Sequence, residues 1–168
     1  YKNYLKEGRA KFPQNIDILK AELQLYFDSG EYDKALANLD QAIAADPKNA
    51  QMYYNKGVIL QTEMNRTQAA LDAYKKTLEV DSNYTDALYM TSIIYIDSAN
   101  AISDEMNALP LSASKKYDAL KKTQSGIFKE ALPYLEKAYA KNSDDPQVKN
   151  ALSQVYRQLK MYEKAKAL

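Results

Sequence analysis

The phrase Glu31-Tyr32-Asp33-Lys34-Ala35-Leu36 returns as Thr67-Gln68-Ala69-Ala70-Leu71, as Phe128-Lys129-Glu130-Ala131-Leu132 and as Tyr162-Glu163-Lys164-Ala165-Lys166. Its return sets a period. Pro13 and Pro47 are 34 residues apart, as are Tyr26 and Leu60 and also Ala131 and Ala165, while Ala35 and Ala70 are 35 apart. A chain that repeats itself at this interval stacks supersecondary units side by side, and its core is spread between neighbours instead of gathered in one centre.

Within a period the pattern is that of paired helices. Ile16, Leu19, Leu23, Tyr26 and Phe27 recur at spacings of three and four, which predicts an amphipathic helix over 15–28. Ser29-Gly30 closes it, and Ala35, Leu36, Leu39, Ala42 and Ile43 face back from a second helix that Asp46-Pro47 stops. The same logic reads 50–80, where the turn carries one extra residue, and 146–168, where Asp144-Asp145-Pro146 signals a helix start.

The third repeat departs from the period. Tyr95 and Tyr156 are 61 residues apart, so about 27 residues stand between the two helices of one unit. Ala99, Ile102, Met106 and Leu109 continue one helical seam outward; Tyr117, Leu120, Gln124, Ile127 and Ala131 return it. Both helices are therefore expected to be longer, broken at Leu109-Pro110-Leu111 with Ser112 or Ser114 as the cap. At a rise of about 1.5 Å per residue, this hairpin reaches roughly 20 Å past its neighbours. Gln124 and Gly126 are expected to weaken it and to provide a hinge, and Ile96 and Leu111 to be outer apolar residues awaiting cover.

These columns resemble the tetratricopeptide repeat family: Leu19, Tyr26, Ala35, Leu39, Ala42 and Pro47 in one copy, and Tyr53, Gly57, Leu60, Ala70, Tyr74 and Leu78 in the next. Leu23 stands where that family usually has Gly, and Ser82 where it usually has Pro. The resemblance implies an all-α, right-handed α-solenoid of antiparallel helix pairs forming one domain over 1–168. Its parts are the second helix of a partial repeat (1–14, with Leu5, Gly8 and Pro13), repeats at 16–49 and 50–84, the extended repeat at 85–143, and a partial repeat at 146–168 with Leu152, Ser153, Tyr156 and Ala165. Both ends fall within a repeat, so a longer parent chain is expected. The runs Asp104 to Leu111 and Lys116 to Lys121 also resemble long-hairpin tetratricopeptide proteins of Bacteroidetes-type bacteria, which implies a bacterial source, in cytoplasm or periplasm.

Composition narrows the function. Lys+Arg 23 against Asp+Glu 22 leaves a net charge of +1, which offers no broad attraction to nucleic acid or an anionic membrane. With no Cys and no His, the chain has no disulfide, no thiolate nucleophile, no structural zinc set and no imidazole base. No run of roughly 20 apolar residues is present to insert into a membrane. Asp104-Glu105 reads as a solvated helix face, so no residue is assigned to catalysis, a cofactor or a metal. Most of the 15 tyrosines are expected to pack between repeats.

For the family resemblance, the implied function is binding of a partner's peptide or helix on the concave face. The corresponding positions are Asp17, Lys20, Gln24 and Phe27; Gln51, Tyr54, Asn55 and Val58; Asp86, Tyr89, Met90 and Ile93; and Asn150, Gln154 and Arg157. One subgroup grips a terminal carboxylate with a cation and amide clamp. Lys20 and Asn55 match it, but Gln24, Asp86 and Met90 do not, and Asp86 would repel a carboxylate. Tyr54, Val58, Tyr89, Met90 and Ile93, rimmed by Gln51, Asn55 and Asp86 and extended by Phe27, suit an apolar segment better; the competing reading makes Val58 and Ile93 core. The alternatives to a peptide binder are an oligomerisation module acting through the hairpin at 99–127, and the recognition arm of a larger enzyme or secretion-related protein.

Overall fold

The turns within the repeats at Gly30, Asn65 and Lys160 recur at one place in the period. The computed structural model describes residues 2–13 and 15–168, and the expectations that fall on residues 1 and 14 lie outside it. Its helices are α1 (Lys2–Lys11), α2 (Ile16–Asp28), α3 (Tyr32–Ala45), α4 (Ala50–Val58), α5 (Thr67–Val80), α6 (Thr85–Asn107), α7 (Ser114–Lys141), α8 (Pro146–Gln158) and α9 (Tyr162–Lys166). The chain divides into two compact units, 1–84 and 85–168, the boundary falling between the second and third repeats.

Gly30 has φ +71, Asn65 φ +52 and Lys160 φ +60, and each stands five residues before the alanine of its repeat. The left-handed residue lets the helix close on itself: Glu31 N–H donates to the Tyr26 carbonyl at 2.9 Å, and Met161 N–H to that of Tyr156 at 2.8 Å. Gly and Asn tolerate this backbone, whereas Lys160 holds it at a cost of roughly 1 kcal/mol. In the extended repeat the corresponding position is Gly126, which lies inside α7 and is not left-handed.

In the first unit, Asn15 caps α2 by accepting from the N–H groups of Asp17 (3.0 Å) and Ile18 (3.1 Å). Leu19, Ala35, Leu39, Ala42, Met52 and Ile59 form one buried cluster, and Leu60, Ala70, Leu71, Ala73 and Tyr74 are buried beyond it. α1 is tied on by Arg9, which pairs with Glu22 at 3.4 Å and donates to Gln41, while Asn38 donates to the same Glu22 at 2.9 Å. The extra residue of the second repeat does not sit in the turn alone. It is absorbed by a π-helical stretch, Ile59–Glu63, in which the helix widens before Asn65 turns it.

In the second unit, Ile96, Ala99, Phe128, Ala131, Leu135, Ala151, Leu152, Val155 and Tyr156 form one cluster at the base of the hairpin. Asp145 caps α8, accepting from Gln147 N–H at 2.8 Å, with Pro146 in the first turn, as the sequence signalled. Three expectations are corrected here. Ile96 is core, at 3 % exposure, because its position on α6 faces α7 and α8, whereas Leu111 is fully exposed. Neither serine caps α7: Ala113 is the cap residue, without a side-chain hydrogen bond, and Ser114 is already helical. Gln124 does not weaken the seam, since its amide donates to the Ala99 carbonyl at 3.0 Å and to Ser103 Oγ, and accepts from Lys121 Nζ at 3.1 Å. A buried amide with its hydrogen bonds met fixes which turns of the two helices face each other. α7 runs unbroken through both Gly126 and Pro133.

The tyrosines are fewer in the deep core than expected. Tyr74 and Tyr156 are buried, Tyr4, Tyr117 and Tyr162 are exposed, and most others are half-buried.

Glu136 joins α7 to α8 and α9, accepting from Tyr156 Oη at 2.8 Å and Lys164 Nζ at 3.0 Å. Burial alone would raise its carboxyl, but these two hydrogen bonds and the lysine charge outweigh it and hold the group below its ordinary 4.5. Burial and the same carboxylate push the Tyr156 hydroxyl up to about 12. A depressed carboxyl stabilises the folded state above its unfolded value and loses that contribution as pH falls through the folded value. Glu136→Gln is thus expected to lower urea stability by no more than about 1 kcal/mol near neutral pH. The gap from the unmodified protein is expected to close as pH falls below about 4.5; a gap that persists in acid would remove the carboxylate from the account.

Candidate functional site

The outer edges of α2 and α4 leave a groove of about 370 Å³ in the first unit, lined by Leu23, Gln24, Phe27, Tyr54, Asn55, Val58 and Ile59. The helical period places them there: Leu23, Gln24 and Phe27 share one stripe of α2, and Tyr54, Asn55 and Val58 one stripe of α4. Phe27 is 41 % exposed and meets Tyr32 edge-on, with ring centroids 6.0 Å apart. Tyr54 is fixed between Tyr74 (5.7 Å) and Tyr84 (5.1 Å). Burial, and then the neighbouring Tyr54, raise the Tyr74 hydroxyl, which donates to Gln61 Oε1 at 2.8 Å.

The polar edge of the groove is prearranged. Tyr84 Oη donates to Gln51 Oε1 at 2.7 Å, and Gln51 Nε2 donates in turn to Asn55 Oδ1 at 2.8 Å. That leaves the Asn55 amide hydrogens unused among the described hydrogen bonds. Gln24 Nε2 donates to Asp28 Oδ1 at 2.7 Å.

Five of the residues read from the sequence therefore meet in one groove: Gln24, Phe27, Tyr54, Asn55 and Val58. Asp17 and Lys20 are exposed on α2 outside it, and Gln51 supports it from the edge. Leu23 and Ile59 were missed. Leu23 counted only as core stripe, and Ile59 opens the π-helical stretch, whose one sequence signal is the extra residue between Ala35 and Ala70.

In the second unit, Tyr89 and Ile93 pack half-buried against the core cluster, which is the competing reading for Ile93. Burial first, then the charges of Asp145 and Asp97, push the Tyr89 hydroxyl up. Met90 is half-buried, and Asp86, Asn150 and Arg157 are exposed. Gln154 Nε2 donates to Asn100 Oδ1 at 3.3 Å, tying α8 to α6.

Among the described residues no group of three or more His, Cys, Asp or Glu is placed to hold a metal ion, and no helix is long and apolar enough to cross a membrane.

Antiparallel helix pairs closed by a left-handed residue and recurring every 34 or 35 residues define a helical-repeat protein. Family models described as TPR repeat or tetratricopeptide repeat match residues 24–62, 50–84 and 123–168, and the chain belongs to the tetratricopeptide repeat family. The Arabidopsis thaliana protein described as "Protein CTR9 homolog" is 39% identical over 64 residues, 38% of this chain, which spans only 6% of that protein's length. Among solved structures, YrrB, described as a TPR protein with an unusual peptide-binding site, is similar at 20% identity and a TM-score of 0.67, over 96% of this chain and 69% of that one. The first TPR of Spaghetti (RPAP3), bound to the HSP90 peptide SRMEEVD, is similar at 16% identity and a TM-score of 0.59, over 87% of this chain and 94% of that one.

Proposed function

We propose that this protein is an interaction module that binds an apolar segment of a partner protein, an amphipathic helix or an extended stretch, in the groove between α2 and α4. The observation that carries this is the juxtaposition of Leu23, Phe27, Val58 and Ile59 with the amides of Gln24 and Asn55 along one open groove. Apolar side chains supply area and the amides supply backbone hydrogen bonds, the division of labour common to peptide grooves. The peptide-binding descriptions of YrrB and of the RPAP3 repeat support the reading by likeness of fold. The lining includes no Lys or Arg, so a terminal carboxylate is not the chosen ligand.

The test is selection from a random peptide library against the whole chain, followed by fluorescence anisotropy of the enriched sequences. Enriched peptides are expected to carry apolar residues three and four apart, and Val58→Glu to weaken them at least tenfold with helicity unchanged, because it places an unpaired carboxylate on the apolar strip. Peptides that bind Val58→Glu as tightly as the unmodified protein would remove the groove from the proposal.

A further inference from the structure

The extended hairpin has two free edges of opposite charge built on the same seven-residue spacing. Along the edge of α6 that points away from α7 stand Asp97 and Asp104, seven apart, with Ala101 and Ala108 beside them; all four are exposed. Along the edge of α7 that points away from α6 stand Lys115, Lys122 and Lys129, again seven apart, with Ala119 and Gly126 beside them, also exposed; the exposed Asp118 stands between Lys115 and Lys122 and leaves the edge net basic, three lysines to one carboxylate. A side chain added at Gly126 would meet nothing within 4 Å. The hairpin's internal polar contacts are made by other residues: Lys116 pairs with Glu105 at 3.0 Å, and Lys121 donates to Gln124. None of the described ion pairs or side-chain hydrogen bonds uses the two aspartates or the three lysines of the edges.

We propose that the hairpin is a self-association surface on which the acidic edge of α6 in one copy receives the basic edge of α7 in a second copy. The partner is argued from complementarity. A charged ligand of another kind would require one edge only, whereas here both edges occur on one hairpin with a common repeat, so that Asp97 and Asp104 can face two successive lysines while the small residues between them let the helices approach closely. The contact is head-to-tail. Each copy that uses its acidic edge keeps a free basic one, so association continues into a ring or a chain and does not stop at a two-fold dimer. Exposed ion pairs contribute little singly and are screened by salt, so the association is weak and salt-sensitive.

Sedimentation velocity on the whole chain tests this. The weight-average mass is expected to rise with protein concentration at low salt and to fall back as salt is added. Asp97→Lys with Asp104→Lys, and separately Lys115→Glu with Lys122→Glu, are each expected to weaken association by roughly tenfold. Mixing the two variants is expected to restore it, since one then offers only basic edges and the other only acidic ones. If a reversal lowers helicity by circular dichroism, Asp97→Asn with Asp104→Asn replaces it and is expected to weaken association by a smaller factor. A wild-type protein that stays monomeric at every concentration overturns the proposal and leaves the edges to an unrelated charged partner. Variants that associate as tightly as the wild type, or a mixture that does not re-associate, overturn it by placing the contact elsewhere.

Discussion

Gly57→Leu is expected to lower the thermal midpoint of the first unit by more than about 10 °C, read by circular dichroism at the helical minimum. A Cβ built on Gly57 would stand 2.5 Å from Tyr74 Cε1 and 2.6 Å from Cδ1, closer than real side chains come, and Tyr74 is fully buried. Overpacking of this kind costs about 3 kcal/mol, and in a unit of this size each kcal/mol moves the midpoint by roughly 4 to 8 °C. The array itself suggests the remedy. At the corresponding two positions the first repeat has Leu23 and Leu39, and the third has Thr91 and Leu135. Where the first position holds more than a glycine, the second holds a leucine and not a tyrosine. Adding Tyr74→Leu to Gly57→Leu is therefore expected to recover at least half of the loss, even though it gives up the hydrogen bond to Gln61. If the double variant is no more stable than the sum of its parts, the two positions do not trade volume and the account fails.

Phe128→Ala is the second large effect, expected to cost about 3 to 5 kcal/mol. Phe128 is 1 % exposed and sits where the hairpin meets α8, in the cluster with Ile96, Leu135, Leu152 and Val155. Hydrogen exchange is expected to show amides of 85–168 losing protection while those of α2 to α5 keep theirs, since in a repeat array stability is carried by contacts between neighbours. Uniform loss across all helices would mean that the two units unfold as one.

The repeat period, the helix pairs and the long hairpin were legible because they rest on spacing, which is local and additive. Five of the eight inward residues read for the first unit proved to line one groove for the same reason: a helix stripe is fixed by its own sequence. What was illegible depends on the partner element. Ile96 reads as an outer residue in the sequence because an apolar side chain at a helix edge carries no mark of whether α8 will cover it. Gln124 reads as a defect in the seam because its acceptor, the Ala99 carbonyl, lies 25 residues away in the chain. Ser112 and Ser114 suit a cap by residue type alone, whereas the backbone places Ala113 there. The π-helical stretch was half visible: the surplus residue could be counted, but not its absorption into Ile59–Glu63, which brought Ile59 to the groove.

The glycine inside α7 has one more consequence. Ser29-Gly30 is followed by Glu31, Tyr32 and, five residues on from the glycine, Ala35; Ser125-Gly126 is followed by Ile127, Phe128 and, at the same distance, Ala131. The same local pattern therefore makes a turn at Gly30 and unbroken helix at Gly126. On both sides of Gly126 α7 has α6 alongside it, with Gln124 bonded to the Ala99 carbonyl and Phe128 in the cluster with Ile96, so the helix continues where the first repeat turns.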